Sequence, residues 1–171
     1  MIPNENEKIK KHMLSSEQVF ITDEPTQVVT VLSSSVAVCL YDIENGRGGI
    51  VNYSIPIWNG IGFKTARYGN IAIEKLIEKF LYPENNPQNL NINKEKIIAK
   101  IAGGSVLKQE ANIDVSEDDS IGHKNVSVAF NTLQKHNIHI AGSDIGGHVV
   151  RYVSFNTHTG TISVKYNFKN K

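Results

Sequence analysis

Residues 28–56 read VVTVLSSSVAVCLYDIENGRGGIVNYSIP, and the reading of this stretch decides the fold. Two apolar runs, Val28–Leu32 and Val36–Tyr41, are separated only by Ser33, Ser34 and Ser35. A turn-rich segment, Glu44 to Gly49, leads into a third run, Ile50–Ile55. Valine, isoleucine and tyrosine suit a pleated, half-buried surface, and Gly48-Gly49 lets the chain reverse with few steric limits. The pattern predicts consecutive antiparallel strands with three hydroxyls at the break between the first two. Such a polar break in a buried sheet is where a site could sit, with Asn52 on the returning strand facing it.

Outward from this centre, Gln18–Ile21 reads as a short opening strand, and Met1–Ser16 as a flexible lead-in to a single domain over residues 17–171. Ile57–Lys64, IWNGIGFK, is a mixed loop that suits either a rim beside a site or a packed surface loop with buried aromatics. Gly69–Leu81 carries Ile73, Leu76, Ile77, Phe80 and Leu81 at helical spacing. Asn70 is the candidate N-cap, and Pro83 sets the limit. Pro83–Asn93 is rich in Asn and Pro, as a surface connection is, and Ile97–Ile101 reads as a strand.

Gln109–Ser120 is polar and acidic and lacks the fixed spacing of a calcium loop. A solvated loop is expected there, its acids favouring the next helix's N-terminus. That helix runs from Asn125 to about His136, with Asn137 as a left-handed C-terminal cap. Ile138–Ala141, Val149–Phe155 and Thr161–Val164 close the chain as strands, the last two joined by a hairpin connection at residues 156–160.

Composition bounds the function classes. The chain has 171 residues, 40% of them hydrophobic, enough for one domain with a sizeable core. A net charge of +1 gives no strong field toward nucleic acid or a membrane surface. No apolar run approaches the roughly 20 residues of a membrane span, and Met1–Ser16 lacks the apolar core of a secretory signal. A single cysteine excludes an internal disulfide and suits a reducing cytoplasm. The six histidines form no metal-ligand motif, and no cofactor fingerprint is present.

The central stretch resembles the CheD family, the chemoreceptor glutamine deamidases of bacterial chemotaxis. The family pattern is roughly T-x-L-G-S-C-V-A-V-C-L-Y-D, then G-G-M-x-H-x-x-L-P. Thr30, Leu32, Ser34, Val36 to Asp42, Gly48-Gly49, Ile55 and Pro56 fit it in type and spacing. Further matches follow in order: Ala66-Arg67-Tyr68-Gly69-Asn70, Lys100 to Gly104, Ile121 to Asn125, Asp144 to Gly147, and Phe155 to Gly160. The resemblance implies an α+β fold of layered α/β/β type, a mainly antiparallel β-sandwich with two longer helices on one side. It also implies recognition of chemoreceptor cytoplasmic helices, or of a CheC-type phosphatase, in the cytoplasm.

The family's nucleophilic cysteine and catalytic histidine fall on Ser35 and Asn52, and Thr30 is a third family-equivalent catalytic position. Ser34, Arg67 and Tyr68 are candidates for substrate binding, although Arg67 and Tyr68 equally suit a helix lead-in.

The two replacements bear directly on chemistry. A thiol serves amide hydrolysis because a nearby imidazolium can hold it as thiolate. A serine hydroxyl is far less acidic and needs a general base within hydrogen-bond reach. An asparagine amide neither takes up nor releases a proton near neutral pH. In a serine protease, losing nucleophile or base alone costs on the order of 10⁶ in turnover. Cys39, four residues on, lies about 13 Å along a strand from Ser35, too far to share its pocket, and reads as a small buried hydrophobe.

The leading expectation is therefore a CheD-like protein with activity lost or strongly reduced. The alternatives are an active amidohydrolase with a relocated pair, for instance Ser35 with His148 or His123, and a non-enzymatic scaffold outside chemotaxis.

Overall fold

The computed structural model describes residues 9–83, 92–106 and 119–167. Their strands are β1 (Lys10–Met13), β2 (Val19–Thr22), β3 (Thr26–Leu32), β4 (Val36–Asp42), β5 (Arg47–Tyr53), β6 (Ile97–Gly103), β7 (His139–Ile145), β8 (Val150–Asn156) and β9 (Ile162–Asn167). Two α-helices, α1 (Gly69–Leu81) and α2 (Ile121–Lys135), and a short 3-10 turn at Lys94–Lys96 are the helical elements among the described residues. The strands form two sheets, ordered β1-β3-β8-β9 and β2-β5-β4-β6-β7. Only β1–β3 and β6–β7 pair in parallel, so the sandwich is mainly antiparallel, as expected.

The layers follow from side-chain alternation along β4 and β5. Val36, Val38, Leu40, Val51 and Tyr53 pack with Leu76, Phe80, Ala129 and Leu133 from the helices. Ala37, Cys39 and Ile50, on the opposite face, pack with Val28, Leu32, Val153 and Phe155 of the other sheet. The five-stranded sheet is thus covered on both sides, by helices and by the four-stranded sheet. Burial on both faces explains why β4 reads as an unbroken apolar run.

One expectation about the central stretch is corrected. β4 and β5 form the antiparallel hairpin, with Ala37 opposite Asn52, but β3 and β4 do not pair. β3 belongs to the four-stranded sheet, beside β8. Ser33–Ser35 is therefore a crossing from one sheet to the other. Alternation in a strand specifies its faces, whereas the partner is set by which layer needs each face covered.

Other boundaries move for local reasons. The expected lead-in Met1–Ser16 already contains β1, and Leu14 is buried, because a short strand pairs with β3 even though its own side chains are mostly exposed. Asn70 is not the cap of α1. Tyr68 holds the N-cap position without a side-chain hydrogen bond, and Asn70 instead accepts from the Trp58 backbone. The second helix starts four residues earlier than expected, where the Ser120 hydroxyl accepts from the His123 N–H. Asn137 has φ +54, the left-handed turn expected after that helix. Most of Pro83–Asn93 and of the acidic loop Gln109–Ser120 lies outside the described residues.

Candidate functional site

The crossing segment is clamped through its backbone. Ser105 N–H donates to Ser33 O at 2.8 Å and Gly104 N–H to Ser35 O at 2.9 Å. The Asn125 amide nitrogen donates to both Ser34 O at 2.9 Å and Ser54 O at 3.1 Å, which ties the segment to the end of β5. The Tyr53 hydroxyl in turn donates to Asn125 O at 2.6 Å. Burial raises the Tyr53 phenol, which therefore stays protonated and able to donate.

Glycines let the clamp close. A Cβ on Gly103, whose φ is +112, would come within 2.2 Å of Ser35 O, and a Cβ on Gly122 within 2.4 Å of Ser105 O. The pair Gly103-Gly104 and the Gly122–Asn125 turn of α2 are thus the parts that fix Ser33–Ser35 in place. Arg151, opposite Leu32 in the β3–β8 ladder, extends the same network. It is buried, with Nε 2.9 Å from Asp144 Oδ1 and Nη1 donating to the Ser105 hydroxyl at 2.7 Å.

The side chains inside this clamp are less well satisfied. Ser35 stands two positions before Ala37, whose cross-strand partner is Asn52, so Ser35 and Asn52 are diagonal neighbours across the hairpin, about 7–8 Å apart by Cα in such ladders. Asn52 is buried between the sheets, where its amide nitrogen donates to Thr30 Oγ1 at 3.1 Å. Thr30, also buried, passes its own proton to Leu14 O at 3.2 Å. The structure therefore brings Thr30 and Asn52 into contact.

The Asn52 amide oxygen has no hydrogen-bond partner although it is buried, at a cost of order 1–3 kcal/mol. Among the described residues, no side chain hydrogen-bonds to the Ser35 hydroxyl. His148 is exposed, its Nδ1 3.2 Å from Val106 O, and His123 is exposed in the first turn of α2. Cys39 is buried, and burial pushes its thiol far above its ordinary range, with Lys100 only partly opposing.

Of the three candidates for substrate contact, Ser34 is half-buried and holds its carbonyl in the clamp. Arg67 is exposed at the rim, with its carbonyl accepting from Ser54 and Ile55 N–H and its Nε 4.0 Å from Glu17. Glu17 N–H donates to Asn52 O at 2.9 Å, which places this rim pair beside Asn52. Tyr68 is half-buried and starts α1. Sequence reasoning did not single out Asn125, Ser105 or Arg151. The signal available was proximity to glycine motifs: Ser105 directly follows Gly103-Gly104, Asn125 closes the Ile121–Asn125 match, and Arg151 follows Gly146-Gly147 within a few residues. No group of three or more His, Cys, Asp or Glu converges on a metal-binding arrangement among the described residues, and no helix among them is long and apolar enough to cross a membrane.

The chain matches the family model described as CheD chemotactic sensory transduction over residues 59–166. That span covers the clamp residues from Gly103 to Arg151 and begins after Asn52. Individual relatives extend the likeness across the crossing segment. The chain is 34% identical to a probable chemoreceptor glutamine deamidase CheD of Trichlorobacter lovleyi, over 95% of this chain and 94% of the relative. It is also 34% identical to a protein of the same description from Sulfurimonas denitrificans, over 92% and 94%. A third, from Methanococcus maripaludis, is 30% identical over 85% of this chain and 88% of its own length. With its two-sheet sandwich, its paired helices and this match along nearly the whole length, the chain belongs to the CheD family of chemotaxis proteins.

Proposed function

We propose that this chain binds chemoreceptor cytoplasmic helices, or a CheC-type phosphatase, and that its glutamine deamidase activity is lost or strongly reduced. The observation that carries the reading is the contrast at the hairpin. The backbone clamp around Ser33–Ser35 is complete, whereas the residue diagonal to Ser35 is an asparagine committed to Thr30 and unable to transfer protons. A serine hydroxyl without a base within reach is a poor nucleophile. Binding asks less of these residues, because a shaped and rigid surface suffices for it.

Two experiments test this. Purified protein is incubated with receptor cytoplasmic fragments, and glutamine-to-glutamate conversion is followed by mass spectrometry. No conversion above background is expected. Turnover that survives Ser35→Ala would overturn the reading and point to a relocated pair. In the second, Ser35→Cys is combined with Asn52→His. An imidazole Nδ1–H at position 52 can replace the present donor to Thr30 Oγ1, which leaves Nε2 for a thiol across the hairpin. Partial recovery of deamidation is expected from the double variant and from neither single variant.

A further inference from the structure

Ile57–Lys64 stands out from the rest of the surface. Ile57 is 59% exposed, Ile61 75% and Phe63 89%. Three large apolar side chains thus leave a single loop, whereas aromatic residues ordinarily turn inward or find a partner surface.

This loop is braced from within and at its base. Ser54 and Ile55 N–H both donate to Arg67 O, at 3.2 and 3.1 Å, and Gly69 N–H donates to Ile55 O at 2.8 Å. Inside the loop, Trp58 N–H donates to Asn70 Oδ1 at 2.9 Å and its indole N–H to Ile61 O at 3.1 Å. Gly60 and Gly62 have φ of +92 and +76 with open space where a Cβ would be. The glycines there serve the backbone turn rather than packing. The half-buried Trp58 is the inner strut, and the turns around it point Ile57, Ile61 and Phe63 outward. Such bracing lowers the ordering cost of binding.

The position of the loop is equally specific. Its neck begins at Ser54, whose carbonyl shares the Asn125 amide with Ser34, so the loop rises directly from the serine clamp. Lys64 lies with Nζ 5.8 Å from the Trp58 ring centre, and Arg67 follows at the neck. Glu17 partly neutralises Arg67, which leaves the rim with a net positive balance.

We propose that Ile57, Ile61 and Phe63 form an apolar wedge that seats an amphipathic helix of a receptor beside Ser35, with Lys64 and Arg67 meeting carboxylates that flank the helix's apolar stripe. This inference rests on the receptor-binding reading above and adds the element that does the gripping. An anionic membrane surface would also attract apolar and cationic groups. The wedge, however, shares its neck with the half-buried Ser33–Ser35 segment, and a helix lying along that neck can reach both.

The test uses the full chain and a purified chemoreceptor cytoplasmic fragment, with affinity read by calorimetry. Ile61→Ser combined with Phe63→Ser is expected to weaken binding at least tenfold and to leave the melting temperature unchanged, because both side chains are exposed. Val31→Ser combined with Tyr152→Ser, about half exposed on the four-stranded sheet, is expected to leave the affinity unchanged. Lys64→Glu is expected to weaken binding severalfold and to flatten its salt dependence.

Wild-type binding with a loop variant within twofold of it would overturn the wedge while leaving the receptor-binding reading intact. Failure of the wild-type chain to bind would overturn that reading and the wedge with it. Co-sedimentation of wild type, but not the loop variant, with vesicles containing anionic lipid would replace the helix by a membrane as the occupant.

Discussion

Asn125 and Asn52 are both buried, both lie within one hydrogen bond of the hairpin region, and both leave the amide oxygen without a partner. They differ in what the amide nitrogen does. Asn125 spends it on two backbone carbonyls, Ser34 and Ser54, and so joins two segments of chain. Asn52 spends it on one hydroxyl, Thr30 Oγ1, which keeps its own acceptor at Leu14. The first residue joins two segments of the scaffold, and the second makes one side-chain contact inside it. The difference teaches that a clamp and the chemistry it presents can be separated residue by residue.

Substitutions turn this contrast into numbers. Asn125→Ala removes two hydrogen bonds and strands two carbonyls, so a loss of roughly 3 kcal/mol is expected. It would be read as a fall of roughly 10 °C in melting temperature for a chain of this size. A fall below about 2 °C would end the assignment of Asn125 as the clamp. Asn52→Leu loses one bond to Thr30 and also removes a buried unpartnered oxygen, so the two effects nearly cancel. The expected change is within about 1 kcal/mol in either direction, measured by chemical denaturation. If Asn52→Leu cost as much as Asn125→Ala, the asymmetry between them would vanish.

The smallest effect belongs to a polar contact far from the hairpin. Glu74 accepts from Lys135 at 3.2 Å, and one of its oxygens lies 2.7 Å from His136 Nε2. Partial burial pushes the Glu74 carboxyl up, but hydrogen bonds from Lys135 and His136, together with their charges, outweigh it and hold the carboxyl below its ordinary value. A carboxylate whose folded value is depressed contributes stability above its unfolded value, about 4.3, and that contribution fades as pH falls through the folded value. Glu74→Gln is therefore expected to cost under about 1 kcal/mol at pH 7, since the pair is partly solvent-exposed, and to cost progressively less as pH falls through the lowered folded value. A pH-independent cost would point to packing instead of charge.

The ease of reading the sequence varied along the chain for physical reasons. The β4–β5 hairpin was legible because two apolar runs flank a glycine-rich turn, and α1 because five apolar residues recur at helical spacing. The separation of β3 from β4 was missed, although a cue existed. Val36–Tyr41 is apolar throughout, as a strand covered on both faces must be, whereas β3 alternates, with Gln27 and Val31 on a partly open face and Thr26 and Thr30 buried on the other. β1 was missed because its own side chains, Lys10 to Met13, face mostly water.

At the site, Ser35 and Asn52 were legible only through their spacing against a family pattern. The work of Asn125 and Ser105 was not legible, because it runs through backbone carbonyls that carry no letter in the sequence. The loop at Ile57–Lys64 divided the same way. A packed surface loop with buried aromatics was the favoured reading over a rim, and it holds for the half-buried Trp58 but not for the exposed Phe63.

The crossing at Ser33–Ser35 belongs to neither ladder. Each of its residues is secured by main-chain atoms, so the hairpin leaves the identity of its side chains almost unconstrained by folding. A molecule built this way can change the group it presents at the crossing and still keep its shape. Its capacity for chemistry is a detachable fitting on a permanent frame.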